Sequence, residues 1–224
     1  MGAVSCIVIN DRAVLWTDGG QYDHDGRLAA IAPNCLQVGD EPMVLAAQMV
    51  TPSVLDWHRH LEAAAIGIDQ IVAGKGNVFD DYLAGDPERS QGLGPAFWLI
   101  GWSRALHRVL QVEIVPRRPA GMRLQPVRSI VTPVLPEEDR LPLEALLQRA
   151  GSPSAVDLAE FGLTLLRAQR RIPMSDPRSG ETHFLIGGYV MQTEISVAGI
   201  QHEIIHQWDD IVGERTDPFG YINL

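Results

Sequence analysis

Cysteine is nearly absent: only Cys6 and Cys35 occur in 224 residues. Two thiols cannot build a disulfide framework, and both lie in apolar, strand-like stretches. Buried free thiols in a reducing cytoplasm are therefore expected. No run of 18 apolar residues is present, so no membrane-spanning helix is expected. The sequence opens inside a strand without a basic segment before it, which argues against a secretion signal. Met1-Gly2 has the start of a myristoylation motif, but Cys6 stands where that motif wants Ser or Thr. Positive charge is outweighed, with 18 Lys and Arg against 28 Asp and Glu, a net charge of −10. A nucleic-acid partner or an anionic membrane needs a basic face, so neither is expected. There is no G-x-S-x-G elbow, no phosphate-binding P-loop, no internal repeat and no low-complexity segment.

What is present is enough apolar residue for a sizeable core: 46% of the chain is hydrophobic and mean hydropathy is zero. The length predicts one domain over residues 1–224. Val4–Ile9 and Ala13–Trp16 read as a hairpin turning at Asn10-Asp11. Cys35–Val38 and Met43–Ala47 read as further strands. Thr51 and Pro52 suit the start of a helix, and Val54, His58, Leu61, Ala65, Ile68 and Val72 predict one amphipathic helix to Ala73, stopped by Gly74-Lys75-Gly76. Residues 75–95 read as a polar surface excursion. Ala96–Trp102 is the most apolar strand, with a return over Leu106–Val115. The proline-rich stretch 116–142 reads as an irregular connector or insertion. A second long helix is predicted from Ser152, with Ser154 and Asp157 in a capping-box spacing and Pro173 as its stop. Thr182–Val197, broken at Gly187-Gly188, and Ile200–Trp208 make a last hairpin, followed by an extended tail over 213–224. Blocks of antiparallel strands alternating with long helices predict an α+β protein with helices packed on sheets.

Three stretches carry a resemblance: the Val4–Asp18 hairpin, Cys35–Ala47 with the helix that follows, and the Ser152 helix leading to Ile186-Gly187-Gly188-Tyr189 and the last hairpin. In order and spacing they resemble the N-terminal-nucleophile hydrolase fold, and within it the proteasome β-subunits and the bacterial HslV peptidase, over about two-thirds of the chain. The resemblance implies a four-layer αββα sandwich of antiparallel sheets. In that family an N-terminal Thr attacks the peptide carbonyl, its own amine acts as base, and a Lys and an Asp support it. Carried over residue by residue, Asp18 matches the Asp. Gly2 falls at or next to the nucleophile's place, and Cys35 falls where the Lys would stand. Nucleophile and Lys are thus both missing. The resemblance implies a catalytically inactive, cytoplasmic subunit with a structural or assembly role in a homo-oligomer, formed through its helices and needing no cofactor. The alternative is a peptide or amide hydrolase activated by processing to Ser5 or Cys6. Against it, Cys6 reads as a core thiol and Asp18, before Gly19-Gly20, as a turn carboxylate.

His202-Glu203-Ile204-Ile205-His206 matches H-E-x-x-H. On a helix the two imidazoles would share a face and bind zinc, with Glu203 as base for the bound water. The alternation of His202, Ile204, His206 and Trp208 fits a strand as well, and no third ligand follows at a familiar spacing. A surface strand is expected, with a zinc peptidase as the rival. His58 and His60 point to different faces of their helix. Trp98 and Trp102 share one strand face and read as core. Arg117-Arg118 is too small to be a nucleic-acid patch. Gly187-Gly188 reads as close backbone packing or a bulge.

Overall fold

Runs of apolar residues build antiparallel strands, with helices between them. The computed structural model describes residues 2–48, 52–65, 67–73, 97–115, 121–126, 130–150, 155–175 and 180–219. In chain order these form β1 (Val4–Ile9), β2 (Arg12–Asp18), β3 (Gly20–Tyr22), β4 (Leu28–Ile31), β5 (Cys35–Gln37) and β6 (Met43–Ala47). Helices α1 (Pro52–Ala64) and α2 (Ile68–Val72) follow, then β7 (Phe97–Ser103), β8 (Arg108–Val115), β9 (Gly121–Pro126) and β10 (Ile130–Thr132). Next come α3 (Glu137–Ala150) and α4 (Leu158–Arg170), then β11 (Met174–Ser175), β12 (Thr182–His183), β13 (Tyr189–Ser196) and β14 (Gly199–Gln207). The protein is α+β, with antiparallel pairing throughout the described strands.

One five-stranded sheet has the order β10-β1-β2-β13-β14, and a second has β5-β6-β7-β8-β9. The first hairpin forms as its sequence predicts. Val4 pairs with Thr17 and Ile9 with Arg12, and Asn10 takes the positive φ of 57° that the two-residue turn requires.

Successive residues of a strand point to opposite faces, and here both faces are apolar. Val4, Cys6, Ala13, Leu15, Met191 and Ile195 of the first sheet share one cluster with Val44, Ala46, Trp98, Ile100 and Trp102 of the second. Trp98 and Trp102 are therefore core residues. The alternate residues Val14, Trp16 and Val190 pack with Phe161, Leu165 and Leu166 of α4 and Leu143 of α3. Met43, Leu45, Phe97 and Leu99 pack with Val54, Trp57 and Leu61 of α1 and Ile68 and Ile71 of α2.

Three expectations are corrected. The first helix is two, because Ala65 turns left-handed at φ 49° and Gly67 is extended. The apolar spacing crosses this break because Leu61 and Ile68 face the same cluster; periodicity reports a face, not continuity. Second, much of the 116–142 stretch is regular. β9 extends the second sheet beside β8, β10 extends the first beside β1, and α3 begins at Glu137. Glu137, Glu138 and Asp139 favour a helix start, and they outweigh Pro142, which removes one helical N–H from α3. Third, Asp157 caps α4, accepting from the N–H groups of Ala159 and Glu160, so the helix starts at Leu158. Thr51, residues 74–96, Arg117-Arg118, Ser152, Ser154 and the tail beyond 219 lie outside the described residues. Among the described residues no helix is long and apolar enough to cross a membrane.

Candidate functional site

The sequence places a carboxylate where β2 ends, and the fold buries it completely: Asp18 is 0% exposed. Its Oδ1 accepts from the Ala3 N–H at 2.8 Å and the Asn34 amide at 3.2 Å. Its Oδ2 accepts from the N–H of Gly20 at 3.2 Å and of Gly187 at 3.1 Å. The Gly20 bond is the turn contact expected of an Asp before glycines. The other three tie in the segment ahead of β1, the β4–β5 connection and the loop before β13. Burial pushes the Asp18 carboxyl up to about 6, against the lowering effect of the Ala3, Gly187 and Gly20 bonds.

Gly2 does lie beside Asp18. A Cβ at position 2 would sit 2.5 Å from Asp18 Oδ1 and 2.6 Å from the Gln48 carbonyl oxygen. No side chain fits there without displacing its neighbours. The residue that touches Asp18 from the β5 side is Asn34, one position before Cys35. The Asn34 amide also donates to the Asp18 carbonyl at 2.8 Å, and its Oδ1 accepts from Gln21 Nε2 at 2.6 Å. Asn34 is fully buried. Cys35 lies in the cluster shared by the two sheets, hydrogen-bonded to Thr193, and burial pushes its thiol up to about 12.

The polar seam continues past Gly187. Arg170 of α4 and Asp210 form a two-pronged pair, Nη1–Oδ2 at 2.8 Å and Nη2–Oδ1 at 2.5 Å, with side chains only 8% and 7% exposed. Arg170 also donates to the Ile186 carbonyl at 2.8 Å, and its guanidinium lies 4.6 Å over the Trp208 ring. Asp210 accepts from the Gly188 N–H at 2.8 Å. The Gly187-Gly188 link is thus held by two carboxylates, one on each peptide N–H. A Cβ at Gly187 would lie 2.5 Å from Asp210 Oδ2, which is the close packing the sequence suggested. Tyr22 lies against the same seam, bonded to the Thr216 hydroxyl at 3.0 Å, and burial raises its phenol.

The remaining candidates are placed elsewhere. Ser5 is 0% exposed, and its hydroxyl exchanges hydrogen bonds with the Gln169 amide of α4 at 3.0 and 3.2 Å. Cys6 is fully buried between the sheets, and burial raises its thiol far above the range in which a thiolate forms at neutral pH. His202-Glu203-Ile204-Ile205-His206 lies within β14, so the helical zinc reading is corrected. The pairing register shifts between Val190 and Met191, so His202 is opposite Thr193 and His206 opposite Val190. Those partners point to opposite faces of β13. His202 accordingly bonds the Thr193 hydroxyl at 2.9 Å, whereas His206 stands edge-on to Trp208 on the Arg170 side. The two imidazoles cannot share an ion in this arrangement. Among the described residues no group of three His, Cys, Asp or Glu is close enough to hold a metal.

Asn34, Arg170 and Asp210 are the site residues that sequence reasoning missed. The signals are weak: Arg170 lies in the last turn of α4, where a basic residue is ordinary, and Asn34 follows a proline as any turn residue does. Chemically, the seam can fix backbone segments. Its carboxylates are committed to N–H donors and to one guanidinium. No family model matches the sequence, and no curated protein matches it.

Proposed function

We propose that this chain is a catalytically inactive, proteasome-like subunit with an assembly role in a homo-oligomer. In this reading its three apolar clusters are the interlayer cores of a four-layer αββα sandwich, and the family's catalytic corner has become a brace. The observation that carries the reading is the Asp18 node. The carboxylate that would support a nucleophile is saturated by four donors, and the position beside it admits only glycine. Asn34 supplies an amide there in place of an ammonium. Activation by processing to Ser5 or Cys6 is disfavoured, since Ser5 is bound to Gln169 and Cys6 is a core thiol.

The test is chemical labelling of the purified full chain. An electrophile that traps N-terminal nucleophiles, such as a β-lactone, is expected to leave the intact mass unchanged, and a mixed peptide library is expected to remain uncut. A stoichiometric adduct on a new N-terminal Ser5 or Cys6 would overturn the reading.

A further inference from the structure

β14 is the outer strand of its sheet. β13 pairs with one edge, and among the described residues no strand pairs with the other. Proteins usually guard such an edge with lysine, proline, a bulge or short length. β14 runs nine residues, Gly199–Gln207, without Lys, Arg or Pro, and its bulge lies only after Ile204. Gln201, His202 and Glu203 are exposed, and Ile204 is 58% exposed. Ile200, His202 and Ile204 share one face, because they pair with Ile195, Thr193 and Met191 on β13.

The stretch Ile200-Gln201-His202-Glu203-Ile204 reads almost the same in both directions about His202. We propose that a second copy of this chain pairs antiparallel with β14 about a two-fold axis at His202, joining two five-stranded sheets edge to edge. A two-fold axis normal to a sheet requires facing residues to lie on the same side of it, and these do. Ile200 then faces the partner's Ile204, Gln201 faces the partner's Glu203, and His202 faces the partner's His202. Each carboxylate meets an amide that can donate to it, and each exposed Ile204 meets the partner's half-buried Ile200. The neighbouring registers lose this. A two-residue slip one way sets Glu203 against the partner's Glu203. A slip the other way sets Ile200 against the partner's His202. The turn at Gly199 and the bulge after Ile204 bound the ribbon to these five residues. Five pairs cover less than the roughly 1,600 Å² of a standard interface, so a micromolar dimer is the expected strength.

This inference takes up the self-association in the proposed function and stands apart from its inactive-site half. The test is sedimentation velocity of the full chain from about 1 to about 100 μM, a range spanning micromolar dissociation. A dimer is expected. Ile204→Lys should weaken it on the order of tenfold or more, because symmetry counts the lost pair twice. Gln201→Lys should tighten it and Gln201→Glu should loosen it, since residue 201 faces a carboxylate. His202→Cys should give an intermolecular disulfide on oxidation and Gln201→Cys should not, because only position 202 meets itself; Cys6 and Cys35 are buried and do not compete. Circular dichroism and the melting midpoint report whether each variant keeps the fold. An assembly indifferent to every β14 change would overturn the edge pairing while leaving the subunit reading intact. A monomer at every concentration would overturn both.

Discussion

The Asp18 node sets two large effects against each other, and pH separates them. Burial opposes the charged carboxylate, while three backbone N–H groups and the Asn34 amide favour it. Burial wins, so the folded protein holds this proton up to about 6, while the ordinary value is 3.8. Between those values the folded state binds more protons than the unfolded state, so unfolding free energy falls as pH rises. This contribution is fully present below about 3.8, is lost as pH climbs through about 6, and is flat above that. The gap corresponds to roughly 3 kcal/mol. The assay is urea denaturation at half-unit steps from pH 3.5 to 7.5 on the wild type and on Asp18→Asn, which cannot titrate. Subtracting the variant's curve cancels the other ionisable groups to first order. The shape of the difference carries the test, because the amide also changes the hydrogen bonds and so the offset. A difference curve that rises with pH across this window would refute the reasoning: the donors would then outweigh burial, and Asp18 would be a held anion.

Gly2→Thr installs the nucleophile type that the proposed resemblance would place here, but its Cβ would lie 2.5 Å from Asp18 Oδ1; a loss of about 1–3 kcal/mol in stability is expected, with no peptidase activity gained, read by thermal melting and peptide cleavage. Arg170→Ala leaves Asp210 buried without its partner and should cost about 3–5 kcal/mol, whereas Arg170→Ala with Asp210→Ala should cost less than the sum of the two single changes in a double-mutant cycle. Ser5→Ala removes one partner of the Gln169 amide and should cost about 1–2 kcal/mol by chemical denaturation; a neutral result would show that water or another group replaces it.

Sequence pattern revealed the architecture more readily than the site. Strands β1, β2, β6, β7 and β14 announced themselves through alternation and turn residues, because a half-turn period is a local property of a few side chains. The break between α1 and α2 was hidden because Leu61 and Ile68 face the same core on either side of it. α3 was hidden by Pro142 and by the prolines before it, which outweighed three acidic residues in its first turn. At the site, Asp18 and Gly2 were reached only through the resemblance, and the structure sets the two side by side. Asn34 was not singled out, because a buried node residue after Pro33 looks the same in sequence as any turn residue. Arg170 and Asp210 lie on elements whose meeting no local pattern encodes. His202 and His206 fitted helix and strand equally well, and it took the β13 register to send them to opposite faces.

The first sheet is stitched from both ends of the chain, since β2 pairs with β13 and Val190 meets Asp18. The second sheet runs β5 through β9 in order, each strand beside its predecessor. This asymmetry sets local closure in one sheet against long-range closure in the other. The second sheet can close between neighbouring segments, whereas β1 needs β10 and β2 needs β13, a strand far along the sequence, before their outer edges are covered. Such non-local closure is slow, and in the interval the apolar faces of Val14 and Trp16 are uncovered. The enclosure of Asp18 likewise joins residues far apart in sequence, Gly187 among them, so it is expected to form slowly, and the apolar residues beside it are an aggregation risk until it does.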